Sequence, residues 1–213
     1  MKQLRYQSLS LILLLLIVSC SKPIFKNKWA KTKAPSHFKA VFNTTKGAFE
    51  IESRRKWSPQ GVDRLYQLIK YGYFDSVPVY RMIPEYVAQF GKPDSLLNNK
   101  WGQQAVLDES VIEKNVFGTM AFARDTVNTR NLQLFINLKN NSPRLDTIYY
   151  SGVTGFPVIA KVTSGMDHVI GFFSYGSDPI NDYDSIAKDS HFIKRKYPKM
   201  DYILKATFLK NEL

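Results

Sequence analysis

Apolar and polar residues alternate along much of the chain after residue 37. Phe38, Ala40 and Phe42 fall on one face of an extended segment, Phe49 and Ile51 on one face of the next, and Thr44-Thr45-Lys46-Gly47 lies between them. That pattern predicts a β-hairpin over 38–43 and 47–53. The period then changes: Val62, Leu65, Tyr66, Leu68 and Ile69 recur at helical spacing behind Ser58-Pro59, a helix-start pair with a capping hydroxyl. An amphipathic helix is expected over 59–71, ending near Gly72. Residues 79–90 read as a strand interrupted by Pro84, and 116–123 and 132–138 as further strands. A strand over 158–162 leads into Gly165-Met166-Asp167, with a short helix expected over 169–173, and 202–209 forms a last strand. Many short strands and few helices predict an all-β barrel or sandwich with helical caps.

The N-terminus follows another pattern. Lys2 and Arg5 precede an apolar run over 9–18, too short to cross a hydrocarbon core that needs roughly 20 helical residues. Such a segment is a processing signal and does not belong to the fold. Ile17-Val18-Ser19-Cys20 resembles a bacterial lipobox, which implies cleavage before Cys20, acylation there, and stable anchoring in the cell envelope. Loss of residues 1–19 removes Lys2 and Arg5 and takes the formal charge from +12 to +10. An exported chain rarely meets nucleic acid, so anionic lipid headgroups suit this charge better; a solvated basic surface without a partner fits equally well. Lys22, Lys26, Lys28, Lys31 and Lys33 are interrupted by no acid, and 20–36 reads as a lipidated, basic, mostly disordered tether. Cys20 is the single cysteine, so no disulfide is expected. Residues 37–213 suffice for one domain with a full core.

Two segments set hydrogen-bonding side chains beside apolar ones able to hold a small ring: 79–91, V-Y-R-M-I-P-E-Y-V-A-Q-F-G, and 133–136, Q-L-F-I. In that order and at that separation they resemble the active-site strands of cyclophilins, the peptidyl-prolyl cis-trans isomerases. The resemblance runs from residue 37 nearly to the end. It implies a mainly β fold, a closed eight-stranded antiparallel barrel capped by two helices. Residues 181–200 would be an insertion before the last strand, with 185–197 helical. Arg81 stands at the family's catalytic arginine, and Val79-Tyr80 replaces the common Phe-His before it. Gln89 matches the glutamine that binds substrate backbone and orients the arginine. Tyr86 and Val87 stand where Phe and Met line the proline pocket, and Gln133 and Phe135 match a second glutamine and the pocket floor. Ala121-Phe122 falls where an Ala-Asn pair meets the peptide, with Phe122 adding a bulky wall. Leu145-Asp146 fits a Leu-Asp step beside the pocket. Arg144 replaces a tryptophan that binds cyclosporin, so that drug should bind weakly. Loop 147–156 is altered, with Phe156 assigned to the place of a histidine that closes the pocket.

The resemblance implies a monomeric prolyl isomerase, without cofactor or metal, acting on proline-containing polypeptides exported across the membrane. Two other readings stand beside it. One is a cyclophilin-like binding or chaperone module with little turnover, suggested by Phe122, Val87 and the altered loop. The other is a structural lipoprotein with 181–200 as its partner surface. His37, His168 and His191 are too far apart in sequence to suggest a metal trio, and the carboxylates show no paired-acid pattern for hydrolysis.

Overall fold

The structure, a computed structural model, describes residues 25–91, 100–130, 132–182 and 191–209. The expected signal peptide, Cys20 and the middle of the 181–200 segment lie outside the described residues.

The alternating N-terminal segments form β1 (His37–Thr44) and β2 (Gly47–Arg54), paired antiparallel from His37–Arg54 to Thr44–Gly47. Gly47 closes the turn at φ 127°, where an added Cβ would meet the His168 ring at 2.7 Å. The chain continues through α1 (Pro59–Lys70), β3 (Val77–Pro78), β4 (Arg81–Ile83), β5 (Val87–Phe90), β6 (Thr119–Phe122) and β7 (Leu134–Asn137). Then come the short α2 (Arg144–Thr147), the hairpin β8 (Tyr149–Tyr150) and β9 (Val153–Thr154), and β10 (Val158–Ser164). Three short helices, α3 (Met166–Ile170), α4 (Asp178–Asn181) and α5 (Phe192–Lys196), precede β11 (Tyr202–Phe208). The helix after Gly165 begins three residues earlier than expected. Gly165 takes up the turn at φ 76°, where a Cβ would strike the Ala48 carbonyl at 2.3 Å.

One nine-stranded sheet has the order β3-β11-β1-β2-β10-β6-β7-β5-β4. Its two ends, β3 and β4, are separated in the chain only by Val79 and Tyr80. Residues 77–83 therefore act as one bent strand that pairs with β11 at its start and β5 at its end. Two further bonds, Val79 N–H to Asp201 O at 2.9 Å and Gly91 N–H to Pro78 O at 3.4 Å, continue both seams. Counting β3 and β4 together, eight strands close on themselves. Inside lie Phe42, Phe49, Phe74, Phe90 and Phe122, with Phe42 stacked on Phe49 at 5.0 Å. Helix α1 adds Val62, Leu65, Leu68 and Ile69 to the same core.

Two expectations change. Ser58 precedes α1, but its hydroxyl caps no backbone group. It donates instead to Glu109, whose carboxylate takes the Gln60 N–H at 2.9 Å and the Gly61 N–H at 3.2 Å. A full negative charge from another part of the chain serves the helix start better than a hydroxyl. Residues 25–36, read as part of a disordered tether, are folded. Trp29 stacks on Tyr71 at 4.4 Å, Phe25 meets Trp101 edge-on at 4.9 Å, and the Ala34 N–H binds Asp63 at 2.8 Å. The lysines dominated the composition of this stretch, yet its two aromatics bury enough surface to order it.

Candidate functional site

The turn Pro84-Glu85-Tyr86 folds β4 back on β5 and sets Arg81 directly opposite Gln89. An Arg81 Nη1–H donates to Gln89 Oε1 at 3.2 Å, so the two residues read as a catalytic pair do touch. Gln89 is buried, while Arg81 is half-buried with its guanidinium carbon 5.7 Å from the centre of the Tyr86 ring. Gln133, on the approach to β7, reaches the same group from the other side. Its Oε1 lies 3.4 Å from Gln89 Nε2.

An apolar cluster lies beside these polar groups. Val87, Ala121, Phe135 and Leu145 are buried together, with Tyr86, Ala123 and Phe156 packed against them. The register explains the grouping. Phe135 lies between Gln89 on β5 and Ala121 on β6, so one face of three neighbouring strands carries both polar and apolar parts of the site. Phe156 meets Phe135 edge-on at 5.6 Å. Tyr86, Val87, Ala121, Phe135, Leu145 and Phe156 are thus brought together as the sequence suggested.

Phe122 is not among them. It is fully buried in the barrel interior with the main core, so it forms no wall of the site. Side chains alternate across a strand, and Ala121 already occupies the outer face. The same alternation places Ala123 in the cluster, a residue not anticipated from the sequence although its spacing from Ala121 held the signal.

Loop 147–156 is tied down from two directions. Arg124 directs Nε to Gly155 O at 3.2 Å, Nη1 to Tyr150 O at 3.0 Å and Nη2 to Val153 O at 2.9 Å, and lies over the Phe156 ring at 4.7 Å. Asn115 binds both Asp146 and the Phe156 carbonyl, each at 2.9 Å through Nδ2. Burial alone would push the Asp146 carboxyl up. Hydrogen bonds from Ser142 and from the Asn115 side chain and backbone, with the nearby Lys114 charge, outweigh it and hold the pKa below the usual range. No one-dimensional signal marked Arg124 or Asn115, because their partners are carbonyls and side chains distant in the chain.

Two more residues complete the polar half. Ser177 accepts from Arg81 Nε at 3.2 Å; its loop runs along β4, with Ser174 donating to Met82 O at 2.5 Å and Met82 bridged to Gly176. Tyr80, which the resemblance marked only as standing in place of the common His, is buried with its hydroxyl 2.6 Å from Gln89 Nε2 and 2.7 Å from Gln133 Oε1. A buried tyrosine hydroxyl needs polar partners, and the glutamines already singled out supply them. Among the described residues, no group of three or more His, Cys, Asp or Glu is placed to hold a metal ion.

Chemically, the arrangement offers a cationic donor and two carboxamides beside a cluster of apolar side chains. The family described as "Cyclophilin type peptidyl-prolyl cis-trans isomerase/CLD" matches residues 39–184. Peptidyl-prolyl cis-trans isomerase ppi1 of Schizosaccharomyces pombe is 30% identical over 129 residues, covering 56% of this chain and 81% of that protein. Peptidyl-prolyl isomerase CWC27 of Yarrowia lipolytica is 34% identical over 133 residues, covering 59% of this chain but 34% of its own length. This chain thus spans about a third of that relative. In fold, a cyclophilin type peptidyl-prolyl cis-trans isomerase of Cryptosporidium parvum superimposes with a TM-score of 0.60 at 18% identity, over 83% of this chain and 99% of that one. A second crystal structure of that protein, obtained in the presence of the dipeptide Ala-Pro, gives 0.55 at 17% identity, over 81% and 99%.

Proposed function

Because the chain belongs to the cyclophilin-type peptidyl-prolyl cis-trans isomerase family, we propose that it catalyses rotation about X–Pro bonds with Arg81 as the group that favours the twisted amide. Resonance gives that bond a barrier of about 18–20 kcal/mol, and uncatalysed rotation takes tens of seconds or more. As the amide twists, conjugation is lost and the prolyl nitrogen regains its lone pair. A donor aimed at that nitrogen binds the twisted form and not the planar one, which lowers the barrier. Arginine is always charged and presents a rigid fork of donors. Gln89 holds one arm of this fork, and Gln89 with Gln133 supplies carboxamides for the substrate backbone. Val87, Phe135, Leu145, Phe156 and the Tyr86 ring seat the pyrrolidine, with Ala121 leaving space above the floor. The observation that carries this reading is the Arg81–Gln89 hydrogen bond at the rim of that apolar cluster.

The test is NMR exchange of a short Ala-Pro peptide with the full chain in mild detergent. The parent should accelerate cis–trans exchange, and Arg81→Ala should lose roughly a hundredfold of that acceleration, the size of effect seen when one preorganised donor is removed. Equal rates for both would end Arg81's role. Line broadening by peptide binding, without faster exchange, would favour the binding-module reading.

The leader and the lipobox-like segment ending at Cys20 support a lipid-anchored protein of the bacterial envelope that assists the folding of exported chains. The relatives described above are eukaryotic, so this placement draws its support from the N-terminal sequence alone. Labelling with a palmitate analogue should mark the parent and not Cys20→Ala; label on both or on neither would remove the anchor.

A further inference from the structure

Arg81, Gln89, Tyr80 and Gln133 form one file of polar groups, with a longer direct contact of 3.4 Å between Gln89 Nε2 and Gln133 Oε1 beside it, and the chemistry of its first member sets the direction of the rest. A guanidinium has only donors. The carboxamide of Gln89 must therefore turn its oxygen to Arg81, as it does at 3.2 Å. Its Nε2 then faces the Tyr80 hydroxyl at 2.6 Å, which must accept. The hydroxyl proton is left to donate to Gln133 Oε1 at 2.7 Å. Reversing either carboxamide would set donor against donor or leave two acceptors facing each other.

From this geometry we infer that Tyr80 is a positioning residue for the reaction proposed above: its hydroxyl locks both glutamines into one orientation and thereby holds Arg81 in line. The inference rests on the isomerase reading for its consequence in catalysis, though not for the existence of the relay. A phenol suits the post because it accepts and donates through one atom on a rigid ring. Hydrogen bonds in such a file polarise one another, so each holds its neighbour more firmly than it would alone. The oxygen of Gln133 is engaged by Tyr80, which fixes the rotation of that carboxamide.

Tyr80 is itself held from behind. Its ring packs with Ile193, Tyr197 and Met200, and Tyr175, Phe192 and Tyr202 lie against this small second core. Ile193, Tyr197 and Met200 lie beyond residues 39–184, the part that matches the family. Tyr197 also donates to Asp182, which takes Lys196 Nζ at 2.7 Å. The segment after residue 190 thus serves as a brace for the polar file.

Tyr80→Phe keeps the ring and its packing and deletes only the hydroxyl. In the peptide exchange experiment kcat should fall roughly tenfold, the size expected for one lost hydrogen bond, with KM changed by less than about twofold. In the proton–nitrogen spectrum of the full chain, the Arg81 Nε–H and the Gln89 and Gln133 side-chain amides should shift while backbone peaks away from the site stay put. Unmoved side-chain resonances would overturn the inference whatever the rates do, as would a rise in KM alone. If the parent itself fails to accelerate exchange, the isomerase reading falls. The resonances of the two proteins then still decide whether Tyr80 sets the orientation of Arg81 and the glutamines.

Discussion

Ala121 and Phe122 are adjacent in β6 and serve opposite faces of the barrel wall. One helps line the candidate pocket, the other fills the interior beside Leu134 and Phe90. Replacing Phe122 with asparagine, the residue type the family resemblance places there, should not open the pocket. It should instead put an amide without partners into the apolar core and remove an aromatic ring, costing about 3–5 kcal/mol. Urea unfolding and peptide titration of Phe122→Asn check this together. Tighter peptide binding with unchanged stability would return Phe122 to the pocket wall. Arg81 and Gln89 were legible in the sequence through the resemblance of 79–91 to the cyclophilin active-site strands; that the segment expected as one strand is a hairpin turning at 84–86, with the two residues opposite each other, came from the structure. Tyr80 was not legible, since its partner Gln133 lies just before β7, and the pairing exists only once β5 and β7 have joined.

At the level of elements, α1 depends on a carboxylate outside it. Burial would push the Glu109 carboxyl up, but bonds from the Gln60 and Gly61 amides, the Ser58 hydroxyl and the Arg130 guanidinium prevail and lower its pKa from 4.5. Arg130 is fully buried and lies 3.0 Å from Glu109 and 3.6 Å from Asp108. Glu109→Gln should therefore cost about 2–3 kcal/mol at neutral pH, since a buried cation loses half its compensation and the helix start its anion. A lowered folded pKa means that the stabilisation is complete above the ordinary glutamate value of 4.5 and fades as pH falls through the depressed one. Urea midpoints measured from pH 7 to 3 should accordingly drop more steeply for the parent than for the Gln variant below that value. Parallel curves would mean that Glu109 carries no such linkage. The sequence announced the start of α1 at Ser58-Pro59 correctly, and the helix ends within one residue of expectation. What it could not announce was that the cap comes from fifty residues downstream.

For the whole molecule, the folded body begins by Phe25. Phe25 and Trp29 cover Trp101 and Tyr71, and Gln67 Nε2 binds the Ala30 and Thr32 carbonyls at 3.1 and 2.7 Å. A chain starting at His37 would lose both aromatics and leave the groups beneath them exposed. The loss is on the order of 3–6 kcal/mol from burial alone, and should lower the thermal midpoint by roughly 6 °C or more relative to a chain starting at Phe25. Equal midpoints would restore residues 25–36 to the tether. With this segment folded, at most a few residues separate Cys20 from the body of the protein.

Local periodicity and motif spacing determined the hairpin β1–β2, helix α1, the Arg81–Gln89 pair and the family resemblance, because these depend on backbone geometry and neighbours within about a dozen residues. The bent strand 77–83 that joins the two ends of the sheet, the inward turn of Phe122, the pinning of loop 147–156 by Arg124 and the file from Arg81 through Tyr80 to Gln133 were decided only by the tertiary structure. Each of them turns on where a buried group finds its partner. A buried polar atom or aromatic ring takes whatever the fold brings within reach, and in a closed barrel those partners come from strands far apart in the chain.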